Sequence, residues 1–298
     1  MIFSRGNTAL SVILLLLGIF SSSVVAQSVG VCYGRNGNNL PTDQASVDLY
    51  KSNRIGKLRL YDPNEGALAA LKGSNIEVIL GVPNDQLQSL TNAAAATNWV
   101  NKAQFLQPTC KTKSRSQPAI DTTLLGKSYP PKDGVFSNDA SSYISPIINF
   151  LKQNGAPLLA NVYPYFAYVN NQKDIGLDYA LFTKQGNNEV GYQNLFDALL
   201  DSLYASLEKV GASNMKIVVA ESGWPSEGGT GASVQNAQTY YSKLISHAKG
   251  GTPKRPNGPI ETYLFAMFDE NQKRGAETER HFGLFKPDKT PKYQLSFA

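Results

Sequence analysis

Residues Lys216–Ser226 read KIVVAESGWPS. Ile217–Ala220 is a short apolar run rich in β-branched side chains, the composition of a strand buried on both faces. Glu221 ends the run, and Gly223 and Pro225 then turn the chain away. A carboxylate at this point of a parallel strand is presented at the C-terminal lip, where α/β folds build their sites. Trp224 adds a flat apolar face beside it.

Working outward, six more runs have the same character: SVGVCYG (28–34), KLRLYDP (57–63), IEVILGVPN (76–84), AIDTTLLG (119–126), PLLANVYPYFAY (157–168) and ETYLFAMFDEN (261–271). Between them lie amphipathic patterns with apolar positions three and four apart. These cover 42–53, 65–73, a long stretch through Trp99, 141–153, 192–210 and 234–248. Repeated strand–helix units predict a parallel α/β architecture. No GxGxxG follows the first strand, which removes the best marker of a dinucleotide fold. Polar residues gather after the strand ends: Tyr61-Asp62, Asn84-Asp85, Tyr163, Tyr165, Glu221 and Asp269-Glu270. That distribution fits a (β/α)8 TIM barrel, whose site is assembled from the loops after its strands. Only seven strands can be read, and such a barrel has eight. The vacancy falls between Trp99 and Ala119, where AQFLQPTCKTKSRSQP (103–118) is polar, twice broken by proline and without either period.

The chain has 298 residues, 42% of them apolar and 17% charged, a globular composition. Arg5, the apolar run Ser11–Phe20 and the small residues up to Ala26 predict a secretory signal peptide over 1–26. The apolar run is shorter than the roughly 20 residues that a membrane span requires. Residues 27–298 are expected to form one secreted barrel domain, with no membrane association after cleavage. The two cysteines, Cys32 and Cys110, make no disulfide framework, and Cys32 lies in an apolar run that predicts a buried thiol. His247 and His281 are the two histidines, and neither HxxxH nor CxxC spacing occurs, so no metal site is expected. The net charge is +5, but the basic residues are scattered, and the densest group (Lys111, Lys113, Arg115) has no interleaved aromatics. Attraction to anionic surfaces is a better reading of this charge than nucleic-acid binding. No Asn-x-Ser/Thr sequon occurs, and no association surface is evident, so a monomer without cofactors is expected.

A carboxylate among aromatic rings suits sugar chemistry, because C–H faces of a pyranose stack on rings while the carboxylate meets the anomeric carbon. Tyr33, Tyr61, Tyr163, Tyr165, Tyr168, Phe166 and Phe268 crowd the expected strand ends. Glycoside hydrolysis uses two carboxyl groups, one to protonate the leaving oxygen and one to attack or to activate water. Spacing alone pairs Glu221 with Glu270 and leaves Asp269 as a third candidate.

GVCYGRNGNNLP, LRLYDP, VILGVPN, AIDTTLLG, LLANVYPYF, VVAESGWPS, ETYLFAMFDENQK and HFGLF together resemble the plant endo-β-1,3-glucanases of glycoside hydrolase family 17, over nearly the whole chain from Val29 onward. The resemblance implies a (β/α)8 barrel and a retaining mechanism. It also implies internal cleavage of 1,3-β-D-glucosidic linkages in β-1,3-glucans such as fungal wall glucan and callose, in plant defence or callose turnover. It makes Glu221 the nucleophile and Tyr33 an aromatic near it. Glu270, Lys273 and Glu279 become supporting groups that hydrogen-bond and tune the carboxylates, and Tyr163, Phe166 and Trp224 line the substrate groove. The chain stops soon after HFGLF, without the longer tail of vacuolar members, which points to the extracellular space, apoplast or cell wall.

The pattern breaks at one place. The family's general acid is a glutamate in a Val-Gly-Asn-Glu motif ending the fourth strand, and no such motif stands at the corresponding place here. Asn64-Glu65 follows the second strand and Asn188-Glu189 falls in a later loop. The fourth strand–helix unit is the one that the strand count also lacks, so two independent readings converge on one deletion. Loss of a general acid costs about 100- to 10,000-fold in rate. The alternatives to an active glucanase are therefore a catalytically impaired β-glucan-binding protein, or an incomplete coding sequence of an active one.

Overall fold

A computed structural model describes residues 28–82, 94–95, 98, 115–116 and 119–297. The expected signal peptide, Trp99, Cys110 and most of the irregular 103–118 segment lie outside these residues. Each long helix starts where the sequence supplies a side-chain cap. After β1 (Val29–Tyr33), the Thr42 hydroxyl accepts from the Ala45 N–H to open α1 (Asp43–Ser52). After β2 (Lys57–Leu60), Asn64 caps α2 (Glu65–Leu71) in the same way, and β3 (Glu77–Leu80) follows. Two short strands, β4 (Arg115–Ser116) and β5 (Ile120–Asp121), lead to an antiparallel pair, β6 (Leu125–Lys127) and β7 (Val135–Phe136), set apart from the main sheet. Ser137 then caps α3 (Asn138–Gln153). Next come β8 (Leu158–Asn161), α4 (Pro164–Asn170), α5 (Leu177–Ala180) and α6 (Leu195–Lys209), the last capped by Asn194. Strand β9 (Ile217–Ser222), the Ser233-capped α7 (Val234–His247) and β10 (Thr262–Leu264) complete the series.

The main sheet has eight strands in the order β4-β3-β2-β1-β10-β9-β8-β5, and every pairing in it is parallel. Its two edges belong to one short segment: β4 ends at Ser116 and β5 begins at Ile120. Four Cα steps span at most about 14 Å, so the sheet curls until its edges nearly meet, as a (β/α)-barrel-like fold requires. All seven strands read from the sequence appear. The parallel order β1–β10–β9–β8 places every β-to-α connection at one end, and hence every C-terminal strand end at one mouth. At the opposite end Lys57 reaches Glu77 and Glu261, 3.3 Å from each, and so ties β2, β3 and the residue before β10 together. Among the described residues no helix is long and apolar enough to cross a membrane.

Three details differ from the sequence reading. Residues Arg115–Ser116, placed in an irregular segment, form β4. A two-residue strand has no period to read and is held by backbone pairing to Ile79 and Leu80. AIDTTLLG is not one strand, because the Asp121 side chain accepts from the Thr123 N–H and starts a 3₁₀ turn over Thr122–Leu124. YPYFAY is not strand either. Pro164 occupies the first turn of α4, where its fixed φ favours a helix and its missing N–H costs nothing.

The core is rich in large side chains. Trp224, Tyr50, Tyr240, Tyr241, Tyr263, Phe196 and Phe268 are all fully buried. Helix α3 shows how sharply burial divides one element: Ile144 is inaccessible, whereas Phe150 is 64% exposed. Ile144→Ala is therefore expected to cost about 2–5 kcal/mol in urea unfolding, and Phe150→Ala no more than about 0.5 kcal/mol. Equal losses would show that α3 does not pack as described.

Candidate active site

Alternation along β9 decides where Glu221 points. Ser222 turns outward and its hydroxyl lies 2.6 Å from that of Tyr240 on α7. Glu221, one residue earlier, turns to the other side and meets groups from two further strands. Its Oε1 accepts from Arg59 Nη1 at 2.8 Å and from the Tyr61 hydroxyl at 2.9 Å, and its Oε2 accepts from the Tyr163 hydroxyl at 2.8 Å. Arg59 lies within β2, and its Nη1 also donates to Asn161 Oδ1 (3.3 Å) and Ala220 O (3.0 Å). One guanidinium thus joins β2, β8 and β9 beneath the carboxylate. The Glu221 side chain retains 13% exposure against 6% for that of Arg59, so the anion faces the mouth and the cation sits below it.

The surroundings fix the protonation of these partners. Burial works against the charge on Arg59, but Tyr61 and Glu221 beside it outweigh that and raise its pKa above the usual value. Burial, reinforced by neighbouring groups including Glu221, holds Tyr61 and Tyr163 well above the usual phenol range. Both therefore stay hydrogen-bond donors. Cys32, as expected, is a fully buried free thiol; its Sγ donates to Ala220 O at 3.4 Å and burial pushes its pKa up to about 12. A carboxylate has about four lone-pair sites. Among the described residues three are occupied, by Arg59, Tyr61 and Tyr163, which leaves one for an electrophile at the mouth.

Glu270, Lys273 and Glu279 gather nearby. Lys273 Nζ lies 3.1 Å from Glu279 Oε2 and 3.9 Å above the centre of the Phe265 ring. Glu270 is only 2% exposed and takes the Asn36 N–H on Oε1 at 2.8 Å. A methyl group at Gly34 would stand 2.3 Å from the Glu270 carboxylate, so only glycine leaves room for it. Burial raises the Glu270 pKa; the Asn36 N–H and Lys273 oppose this, while Glu221 and Glu279 add to it. Asp269, the third carboxylate suggested by spacing, is a structural clamp. It binds Lys292 Nζ through both oxygens, at 2.7 and 2.8 Å, and accepts the Gly283 N–H. Phe166 packs among Tyr163, Tyr165 and Phe282, with ring centres 5.2–6.2 Å apart, and stays partly exposed at the rim.

Two sequence-derived residues lie elsewhere. Tyr33 is buried and donates its hydroxyl to Asp43 Oδ1 (2.8 Å) on α1, with Ser46 Oγ 3.1 Å away; the hydroxyls on Glu221 are those of Tyr61 and Tyr163. Trp224 has no accessible surface. It packs against Tyr165, Tyr168 and Tyr240 and donates its indole N–H to Gly231 O at 2.9 Å. The sharp turn after Glu221 drives the indole inward beneath the loop instead of over the groove. Arg59 was missed, although the sequence carried its signal: a charged residue inside the buried-strand pattern KLRL demands a partner. Among the described residues no group of three or more His, Cys, Asp or Glu is placed to hold a metal ion.

This arrangement can be set against known proteins. The family model described as Glycosyl hydrolases family 17 matches residues 29–117 and 110–297. The chain belongs to this family. Among its relatives is a glucan endo-1,3-beta-glucosidase of Vitis vinifera, 53% identical over 336 aligned positions that cover 96% of this chain and 97% of the relative. The acidic isoform GL153 of Nicotiana tabacum, also a glucan endo-1,3-beta-glucosidase, is 47% identical over 98% of this chain and 94% of its own. Among solved structures, CJP38, described as a beta-1,3-glucanase and allergen of Cryptomeria japonica pollen, superposes with a TM-score of 0.86 at 39% identity, covering 91% of this chain and 99% of that one.

Two tests follow from the geometry of this family 17 site. Trp224→Ala should destabilise the protein by about 3–5 kcal/mol, measured by urea unfolding; an indole exposed for stacking would change stability by less than about 0.5 kcal/mol. The raised pKa of Glu270 means that the folded state holds this proton more tightly than the unfolded one. Its contribution is complete below the ordinary glutamate pKa of about 4.3 and is lost as pH rises through the folded value. Glu270→Gln, which can still accept the Asn36 N–H, should therefore gain stability relative to wild type as pH rises through this window. Parallel urea-midpoint profiles for the two proteins would contradict it.

Proposed function

We propose that this chain acts on β-1,3-glucans, whether polysaccharide or oligosaccharide, as a retaining endo-glycosidase with Glu221 as its nucleophile. The clasp on Glu221 carries the reading: three donors orient the carboxylate from below and leave a lone pair directed to an open mouth. When that lone pair attacks an anomeric carbon, an ester forms between the sugar and Glu221. When the ester is cleaved, Arg59, Tyr61 and Tyr163 stabilise the carboxylate that is released. Charge-assisted hydrogen bonds of this kind are the strong ones, and they strengthen as the leaving carboxylate regains its charge. The partly exposed rings of Tyr163 and Phe166, backed by the buried ring of Phe282, offer the apolar surface for a sugar face. The leader-like residues 1–26 support a secreted, extracellular protein, in the apoplast or cell wall, and one cleft on one barrel is enough for a monomer.

The first half-reaction also requires a proton for the departing oxygen. Residues 83–118 contain a single acidic side chain, Asp85, and no glutamate. Cleavage of unactivated glucan is accordingly slower than in a relative with a complete pair. A second reading is favoured by the lengths involved. The 336 positions aligned with the Vitis vinifera relative take in 96% of the 298 residues, about 286, so about 50 positions of that relative have no counterpart here, enough for one strand–helix unit. The two family matches also meet at 110–117. Both observations support a coding sequence that lacks the fourth unit.

The nucleophile reading is tested with 2,4-dinitrophenyl 2-deoxy-2-fluoro-β-laminaribioside, whose leaving group departs without a proton. Covalent labelling of Glu221, located by peptide mass spectrometry, is the expected result. A label on another side chain, or none, would overturn it.

A further inference from the structure

We propose that Asp121 supplies the missing proton, acting as general acid and then general base opposite Glu221; this inference rests on the reading of Glu221 as nucleophile. Asp121 is the last residue of β5, and so stands at the same mouth as Glu221. The sheet register sets its height. Asp121 pairs with Asn161, and Asn161 pairs with Glu221. The β8–β9 register shifts by one residue just before this last pair, and beyond the shift the three residues lie on one level, Asp121 two strand spacings from Glu221, about 9.6 Å across the sheet.

Direction follows from the same ladder. Residues in register on parallel strands present their side chains to the same face. Asn161 takes a hydrogen bond from Arg59 Nη1, the same atom that grips Glu221. Asn161 therefore faces the site, and Asp121 beside it does too. Two carboxyl side chains leaning over the mouth from strands about 9.6 Å apart can close to the roughly 5–5.5 Å used by retaining glycosidases. The Asp121 side chain is exposed and accepts from the N–H and the hydroxyl of Thr123 in its own turn. It is thus open to a ligand.

The other described carboxylates at this end are committed or misdirected. Glu270 is buried against Gly34 and Asn36, Glu279 is paired with Lys273, and Asp269 is clamped by Lys292. Arg59 and Tyr61 both reach Glu221, so the alternation of an extended chain sends the intervening and following side chains, Leu60 and Asp62, the other way. The closure of the sheet also matters. The segment beside β3 is β4, and that chain becomes β5 after three residues. The strand carrying Asp121 therefore stands between β4 and β8 in the ring.

The steps balance. As Glu221 forms its bond to the anomeric carbon, the glycosidic C–O bond breaks and the departing oxygen takes the Asp121 proton. Asp121, now a carboxylate, takes a proton from water as the water oxygen attacks the anomeric carbon. The ester electrons return to Glu221, and both side chains are restored.

The test uses the full chain and compares wild type with Asp121→Asn, whose amide oxygen can still accept the Thr123 N–H. Laminarin hydrolysis should fall at least about 100-fold, while release of dinitrophenolate in the first turnover from 2,4-dinitrophenyl β-laminaribioside stays within about threefold, since that leaving group needs no acid. Azide should restore turnover in the variant, with a β-glycosyl azide as product, because an anionic nucleophile requires no base. Asp121→Glu should keep measurable activity. Labelling of Glu221 by the fluorinated donor confirms a folded site in each variant. Unchanged laminarin hydrolysis in Asp121→Asn would overturn the proposal. So would a wild type that labels on Glu221 yet releases no reducing ends from laminarin, a result that leaves the nucleophile reading intact. Failure of wild type to label on Glu221 would instead remove the reading on which the proposal rests.

Discussion

The contact between Arg59 Nη1 and Glu221 Oε1, 2.8 Å long and nearly out of reach of water, constrains everything around it. Two charges withdrawn from solvent lose several kcal/mol each in hydration, and their attraction repays this only with good geometry and further hydrogen bonds. Here the extra bonds come from Asn161, Ala220, Tyr61 and Tyr163. Those residues belong to strands β8 and β9 and to the positions just after β2 and β8. A slip of one residue in any of these strands would reverse its side chains and leave a buried charge alone. The pair therefore makes the register of the barrel a requirement of stability as well as of chemistry. Among the described residues Arg59 Nε has no hydrogen-bond partner, while Nη1 alone serves Asn161, Ala220 and Glu221.

Much of this was legible in the residues. Apolar runs gave the seven strands, and the helices begin at Thr42, Asn64, Ser137, Asn194 and Ser233, each a residue type that caps through its own side chain. Glu221 was found from the abrupt end of its strand. What escaped depended on contacts between distant parts of the chain. Tyr33 and Tyr61 look alike as tyrosines near strand ends. One turns to Asp43 on α1 and the other crosses the mouth to a residue 160 positions away. Trp224 adjoins the site in sequence, yet it is captured by Tyr165, Tyr168 and Tyr240. A large ring next to a tight turn goes wherever the most apolar surface is, and composition does not say on which side that lies. Strand β4 was illegible for another reason: its backbone pairing to β3 makes no demand on side chains.

Parallel strand–helix units tolerate the loss of a neighbour better than an interleaved sheet does. Each strand here pairs with the one beside it, and its helix returns over the outside, so most contacts are local to adjacent units. The edges, β4 and β5, are two residues long each. Short edges expose few unpaired backbone groups, which limits both their cost and their ability to recruit another chain. The Lys57 contacts to Glu77 and Glu261 hold the far end of the ring independently of that junction.

The same locality separates the two halves of the chemistry. Among the described residues, the groups on the Glu221 carboxylate come from β2 and from the positions just beyond β2 and β8, apart in sequence from 83–118. Changes in that interval can remove a proton donor without disturbing the clasp. A chain altered there keeps an oriented Glu221 carboxylate whose burial was already compensated by Arg59, and its fold gains nothing by discarding it. Replacing Glu221 alone would strand the guanidinium, at a cost typical of a broken buried pair, about 3–5 kcal/mol. Glu221, the nucleophile on the proposed reading, is thus held in place by stability even where catalysis is weakened. For the same reason, restoring a proton donor needs only one carboxyl at the right height on the rim, with no rebuilding of the site beneath.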